Sequence, residues 1–213
     1  MTELEFAVLD AVAEPYAAAP TLLVRLRITE TTGTPIWAIA LRCQVRIEPQ
    51  RRQYSEAEKE GLHDLFGEGG RWGETVRPFP WVHITAMVQG FTGDVELDLP
   101  VPCTYDFDVS AAKYLHALKD GSIPLVLLFS GTVFAREGSG FRIEQIPWHK
   151  EATYRLPVAV WRQLMDLYFP NSGWIRVDRE TLDALQRFKS GRALPTWEQA
   201  FDALLAEAGQ AAR

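Results

Sequence analysis

A chain of 213 residues buries enough surface to need no disulfide or metal staple. Its two cysteines exclude a disulfide scaffold or a four-ligand zinc module, and no apolar run approaches the ~18 residues of a membrane span. A net charge of −6 lacks the basic footprint of general nucleic-acid binding, and an acidic start (Glu3, Glu5) stands where a signal peptide is basic, so a cytoplasmic protein with reduced thiols and neither nucleic-acid nor membrane partners is expected.

Leu4, Phe6 and Val8 alternate with Glu3, Glu5 and Ala7 and predict an opening strand. The stretch Thr21 to Gln50 carries the clearest pattern in the chain. Leu22, Val24, Leu26 and Ile28 share one face, opposite Arg25, Arg27 and Thr29. Ile39, Leu41, Cys43, Val45 and Ile47 share another, opposite Arg42, Gln44, Arg46 and Glu48. Side chains alternate across a strand, so each segment predicts a strand with one buried face and one wet face. Gly33 and Pro35 between them favour a turn, and the pair reads as a hairpin of an antiparallel sheet.

Ser55 and Glu58 form a capping-box signature for a helix running to about Phe66, stopped by Gly67. Gly67 to Pro80 has no periodicity and reads as a long loop in which Trp72 and Phe79 find packing partners. Trp81 to Gly90 predicts a strand. Val95, Leu97 and Leu99, alternating with Glu96 and Asp98, predict another, broken by Pro100 and Pro102 and resumed at Tyr105, Phe107 and Val109. Ser110 to Lys119 predicts a short helix. The unbroken apolar run from Leu125, continuing to Phe134, predicts a central strand buried on both faces. Glu137 to Gly140 signals a turn, Phe141 and Ile143 a returning strand, and Ala152 to Leu156 a last strand.

From Pro157 the period changes. Val158, Trp161, Leu164, Met165 and Tyr168 fall at helical spacing; Asp178 and Thr196 cap two further helices. The expected fold is therefore α+β: an antiparallel β-sandwich over residues 1–156 with inserted short helices, and a C-terminal helical segment over 157–213 packed on it.

No catalytic constellation emerges. His63, His83, His116 and His149 are scattered, no Cys/His pair has ligand spacing, and no phosphate loop, dinucleotide fingerprint or nucleophile elbow is present. No catalytic residue, metal or cofactor is expected. Cys43 shares an apolar strand face and reads as a core thiol. Arg42, Arg46, Arg51 and Arg52, with Arg25 and Arg27 on the neighbouring strand, form either a basic face for an acidic partner or cross-strand ion pairs with Glu30 and Glu48. Gln145 to Glu151, holding Trp148 and His149, is the densest local cluster of functional side chains. Seven tryptophans, several beside turns, fit an interface or an interdomain seam. The candidate binding residues are Arg51, Arg52, Trp72, Tyr105, Trp148 and His149. They serve either a protein-interaction protein or a small-ligand pocket between sandwich and helices.

Four phrases carry a resemblance: Ala38 to Arg52 (AIALRCQVRIEPQRR), Leu99 to Asp106 (LPVPCTYD), Ile146 to Glu151 (IPWHKE) and Ala184 to Lys189 (ALQRFK). Across nearly its whole length the chain resembles an uncharacterised, mainly actinobacterial family of unknown function. The family offers no catalytic residue to carry over. Some members are encoded beside uptake-type [NiFe]-hydrogenase genes. The resemblance therefore implies an accessory role, with a hydrogenase subunit or maturation factor as partner.

Overall fold

The computed structural model describes residues 2–106, 109–138 and 140–209; Phe107, Ser139 and the side chain of Phe141 lie outside that description. β1 (Leu4–Ala13), β2 (Thr21–Glu30) and β5 (Asp94–Pro102) form an antiparallel three-stranded sheet in the order β1-β2-β5. The second sheet has five strands: β4 (Phe79–Phe91), β3 (Ile36–Ile47), β6 (Ser122–Glu137), β7 (Gly140–Gln145) and β8 (Glu151–Pro157). β7 and β8 share the edge of β6 that faces away from β3: β8 pairs with Ser122 to Leu128 and β7 with Thr132 to Glu137.

β2 and β3 both form where the alternation puts them, but they are not a hairpin. β2 pairs with β1 and β5, and β3 pairs with β4 and β6. The chain crosses from one sheet to the other at Thr31 to Pro35. The reason is burial. Leu22, Leu26 and Ile28 on β2 and Ile39 and Ile47 on β3 have no exposed surface, because the two apolar faces belong to one core between the sheets. Alternation specifies which face is wet and not which strand lies alongside. Phe6 of β1 stacks on Phe129 of β6 across this core, with ring centroids 4.2 Å apart.

The crossing is tied by a buried carboxylate. Glu30 accepts hydrogen bonds from the backbone N–H groups of Glu3 (3.1 Å), Thr32 (3.1 Å) and Thr34 (2.8 Å), and from the Thr32 hydroxyl (2.6 Å). Burial pushes its pKa up, and these four donors outweigh that and hold it below the usual carboxylate range. Gly33 takes the positive φ the turn needs, 77°.

The capping box at Ser55 forms with both reciprocal bonds. The expected single helix is two pieces, α1 (Glu56–Gly61) and α2 (His63–Phe66), broken at the fully buried Leu62. Gly61 lies so close to α4 (Ser110–Ala117) that a Cβ there would stand 3.3 Å from the Ala117 methyl. The aperiodic Gly67–Pro80 stretch holds a 3₁₀ turn at Gly69–Arg71 and the one-turn α3 (Trp72–Thr75). β6 buries every residue from Ile123 to Leu127, as its unbroken apolar run requires.

The chain divides into two compact units, Met1–Trp174 and Ile175–Arg213. The expected boundary near Leu156 differs from this division because α5 (Val158–Tyr168) belongs to the first unit. It packs on β1, β2 and β8 and buries Val158, Trp161, Leu164 and Met165. The Tyr168 hydroxyl donates toward the carbonyls of Glu14 (2.7 Å) and Ala17 (3.0 Å), pinning the β1–β2 connection. The second unit is a helical pair, α6 (Arg179–Gly191) and α7 (Trp197–Glu207), capped by Asp178 and Thr196. It is held by Ala200 in its core, Lys189 over the Trp197 ring and an Arg192–Glu207 ion pair.

Candidate functional site

The six residues singled out from sequence fall in three places. Arg52 and Trp72 come together at a cleft of about 390 Å³ that also involves Gln50, Tyr54 and Arg77, while Arg51, next to Arg52 in the chain, pairs with Glu48. Arg52 is held fast there. Its guanidinium donates to Glu58 Oε1 (2.7 Å) and to the carbonyls of Gln53, Asp120 and Ser122, and only 7% of the side chain is exposed. Glu58 completes the tie by accepting from the N–H groups of Ser55 and Lys119. Burial pushes the Glu58 carboxyl up, and these bonds and Arg52 bring it below its usual value. Arg52 is thus a structural strut whose donors are occupied by the chain itself. Beside it the buried Glu48 accepts from Arg46 Nε and Gln50 Nε2 at 2.6 Å and pairs with Arg51 at 3.4 Å. Tyr54, Phe66 and Tyr114 pack edge-on around this cluster, and Trp72 joins them while its Nε1 donates to the Gly67 carbonyl.

Arg25 and Arg27 do not join this cluster. They lie on the other sheet, paired across the β2–β5 ladder with Asp98 (3.1 Å) and Glu96 (2.6 Å). The six-arginine basic face therefore does not form, because its two halves sit on opposite sheets. Glu30, the other expected partner, is spent on the sheet crossing.

Tyr105 lies in a separate small cleft of about 240 Å³ against α5, with His116, Lys119, Trp161, Arg162 and Asp166. Its ring stacks on Phe169 at 5.1 Å. Burial raises the Tyr105 phenol and lowers His116, whose imidazole also faces Lys119 and Arg162. Trp161 Nε1 is the one buried side-chain polar atom among the described residues that has no hydrogen-bond partner.

Trp148 and His149 lie in the excursion between β7 and β8. Hydrogen bonds from Ile146 N–H to Gly131 O and from Phe129 N–H to Lys150 O close its two ends against β6. Trp148, looped out between them, is 90% exposed. It borders a concavity of about 460 Å³ on the outer face of the five-stranded sheet, whose floor carries Arg42, Gln44, His83, Thr85 and Ser130. The ladder sets these in rows: Met87–Ala40–Thr132, then Thr85–Arg42–Ser130, then His83–Gln44–Leu128.

The outward positions of β4, β3 and the paired part of β6 include no Asp or Glu. Arg42 is exposed and has no ion pair among the described residues. Around it Met87 is 68% exposed, Trp37 51% and Ile143 59%. Sequence reading missed Met87 and Ile143 as surface groups. The signal was parity: with Ile84 and Val88 facing in, Met87 must face out.

Cys43 and Cys103 are buried and unbonded to each other, and burial pushes both thiols up to about 12. No group of three or more His, Cys, Asp or Glu side chains among the described residues is placed to hold a metal ion. No described helix is long and apolar enough to cross a membrane.

No curated protein matches the chain. Similar solved structures are distant. A β-glucosidase from Kluyveromyces marxianus is 7% identical over 72% of this chain, with a TM-score of 0.27, and the match spans only 15% of that enzyme. A Bordetella pertussis protein designated ApaA is 13% identical over 73% of this chain and 93% of its own, with a TM-score of 0.28. β-Glucosidase 3B from Thermotoga neapolitana, solved with α-D-glucose, is 13% identical over 72% of this chain and 17% of its own, with a TM-score of 0.24. One family model spans all of residues 1–213, and the chain belongs to that family, a family of unknown function (DUF6084).

Proposed function

We propose that this protein is a non-enzymatic accessory module that docks a partner protein on the outer face of its five-stranded sheet. The observation that carries the reading is the stretch of that face on β4, β3 and the β3-paired part of β6, which has no Asp or Glu around Arg42, with Trp37, Met87, Ile143 and Trp148 exposed on the same side. Tryptophan, methionine and arginine, with acidic residues depleted, are the composition of interface cores. The partner surface that fits is apolar with a carboxylate opposite Arg42. The gene neighbourhood implied by the resemblance nominates a [NiFe]-hydrogenase subunit or maturation factor, in the cytoplasm, where buried thiols stay reduced.

The test is binding of purified hydrogenase subunits and maturation proteins to the wild type and to Trp148→Ala and Arg42→Glu. The expected result is a complex weakened at least about tenfold by either change, the loss of roughly 1.4 kcal/mol that one interface anchor supplies. Equal binding by all three forms overturns the docking face. Binding by none of those candidates to the wild type removes the hydrogenase assignment.

One observation favours a second reading, a small-ligand site at Tyr105. The unpartnered Trp161 Nε1 sits in the residue set of that cleft, beside Lys119 and Arg162, where an acceptor-bearing molecule would find donors. Its volume of about 240 Å³ is below the roughly 300–1,000 Å³ of most small-molecule sites, which ranks it second. Calorimetric titration with small carboxylates and phosphates, repeated on Lys119→Ala, decides it: saturable heat lost in the variant supports the site, and no heat removes it.

A further inference from the structure

We infer that the free edge of β4 pairs with the same edge of a second copy of this chain, joining two five-stranded sheets across a two-fold axis. The inference stands on the edge itself and is independent of the partner assigned to the outer face.

β4 is 13 residues long and terminates its sheet, with β3 on one side only. Beyond β3, and β5 through the connecting turn, no element packs extensively against it. Among the described residues its backbone has no hydrogen-bond partner outside the β3 ladder. An unpaired edge of this kind is a template for another strand, and proteins that stay apart defend such edges with charge, proline or bulges.

Every other edge here is defended. β1 carries Glu5 and Asp10 and a register shift between Val8 and Asp10. β5 carries Asp94, Glu96 and Asp98, then two prolines. β7 carries Arg142 and Glu144, and β8 carries Glu151 and Arg155. β4 contains no Asp, Glu, Lys or Arg. Its one proline, Pro80, and its register shift near Val82 sit at its first end and leave Val82 to Phe91 regular.

That same lack of charge selects the occupant. An uncharged edge offers no charge code with which to choose a foreign strand. It pairs with its own copy without placing like charges opposite each other, which the self-complementarity of a two-fold interface demands. Antiparallel self-pairing about a residue preserves parity. Outward His83, Thr85, Met87 and Gln89 then meet outward residues, and inward Val82, Ile84, Ala86 and Val88 meet inward ones. Core and outer face both continue across the axis.

Sedimentation velocity of the full chain over a hundredfold concentration range tests this. The expected result is a monomer–dimer equilibrium, with Thr85→Lys weakening the dimer at least tenfold at unchanged circular dichroism and melting temperature. Glu5→Lys on the β1 edge and Trp148→Ala on the outer face should leave it intact. Should Thr85→Lys misfold, hydrogen exchange of the wild type replaces it: β4 amides must gain protection as concentration rises, and β5 amides must not. A monomer throughout the range, a Thr85→Lys dimer of wild-type strength, or equal disruption by Glu5→Lys overturns the inference.

Discussion

Three residues show how little freedom the scaffold leaves at single positions. Gly131 has φ of 137° in the middle of β6, and a Cβ there would lie 2.1 Å from the Ala40 carbonyl oxygen. No side chain fits, and the same backbone offers its carbonyl to Ile146 at the start of the Trp148 excursion. Gly131→Ala is expected to cost about 2–4 kcal/mol, measured by denaturant unfolding. Arg52 and Glu58 are 7% and 2% exposed and hydrogen-bonded throughout. Arg52→Ala strands a buried carboxylate and is expected to cost about 3–5 kcal/mol in the same experiment. None of this is visible in sequence, where Gly131 is one glycine among fifteen and Arg52 looks like surface charge.

Carboxylates held below their usual range set the acid limit. Glu30 and Glu58 are lowered, and Glu144 is brought to about 2; burial opposes this, and bonds from Thr2 and Arg142 outweigh it. The unfolded chain takes up these protons first as pH falls. Their contribution is complete above about pH 4.3 and disappears toward pH 2, so stability declines across that window. Glu144→Gln is expected to decline less steeply, read from melting temperature against pH. The thiols give a second check. Cys43 and Cys103 should resist a thiol reagent in the native state at pH 8 and react when the chain is unfolded. The assignment of Cys43 to the core followed from its strand parity alone.

At the scale of elements, what was legible was period, and what was not was partnership. The eight strands arise where alternation or an apolar run places them, except that β5 runs through the expected break at Pro100 to Pro102 and no strand resumes at Tyr105 or Val109. The helices begin at Ser55, Pro157, Asp178 and Thr196 because those residues satisfy or tolerate free N–H groups. β2 and β3 read as a hairpin in sequence because a turn between two alternating strands looks the same whether they lie side by side or face each other over a core. The Gly67–Pro80 stretch reads as loop. It is brought into order by Trp72 seated against Tyr54 and Phe66, contacts 18 and 6 residues away that no local pattern encodes. Trp148 was legible as a candidate because Pro147 interrupts the strand beside it. Arg42, separated from the Trp148 loop by four strands along the chain, lines the same concavity only because the β3–β6 ladder brings β3 beside the strand from which that loop departs. Trp148→Ala should change stability by no more than about 0.5 kcal/mol, since the ring is almost wholly exposed.

For the whole molecule, the distribution of charge matters more than its sum. The chain carries −6, yet the outward positions of β4, β3 and the part of β6 paired with β3 have no acidic group, and Arg42 there has no ion pair among the described residues, while the β2–β5 face neutralises its own charges in cross-strand pairs. A largely apolar surface whose one charged group is a cation, inside an acidic protein, is the feature on which the proposed docking face rests. The most direct measurement is quantitative affinity capture from the native host, comparing wild type, Trp148→Ala with Arg42→Glu, and Arg25→Ala on the opposite sheet as control. The expected result is a stoichiometric protein partner with the wild type and the control, lost from the double variant. A partner retained by the double variant, or lost equally from the control, contradicts it.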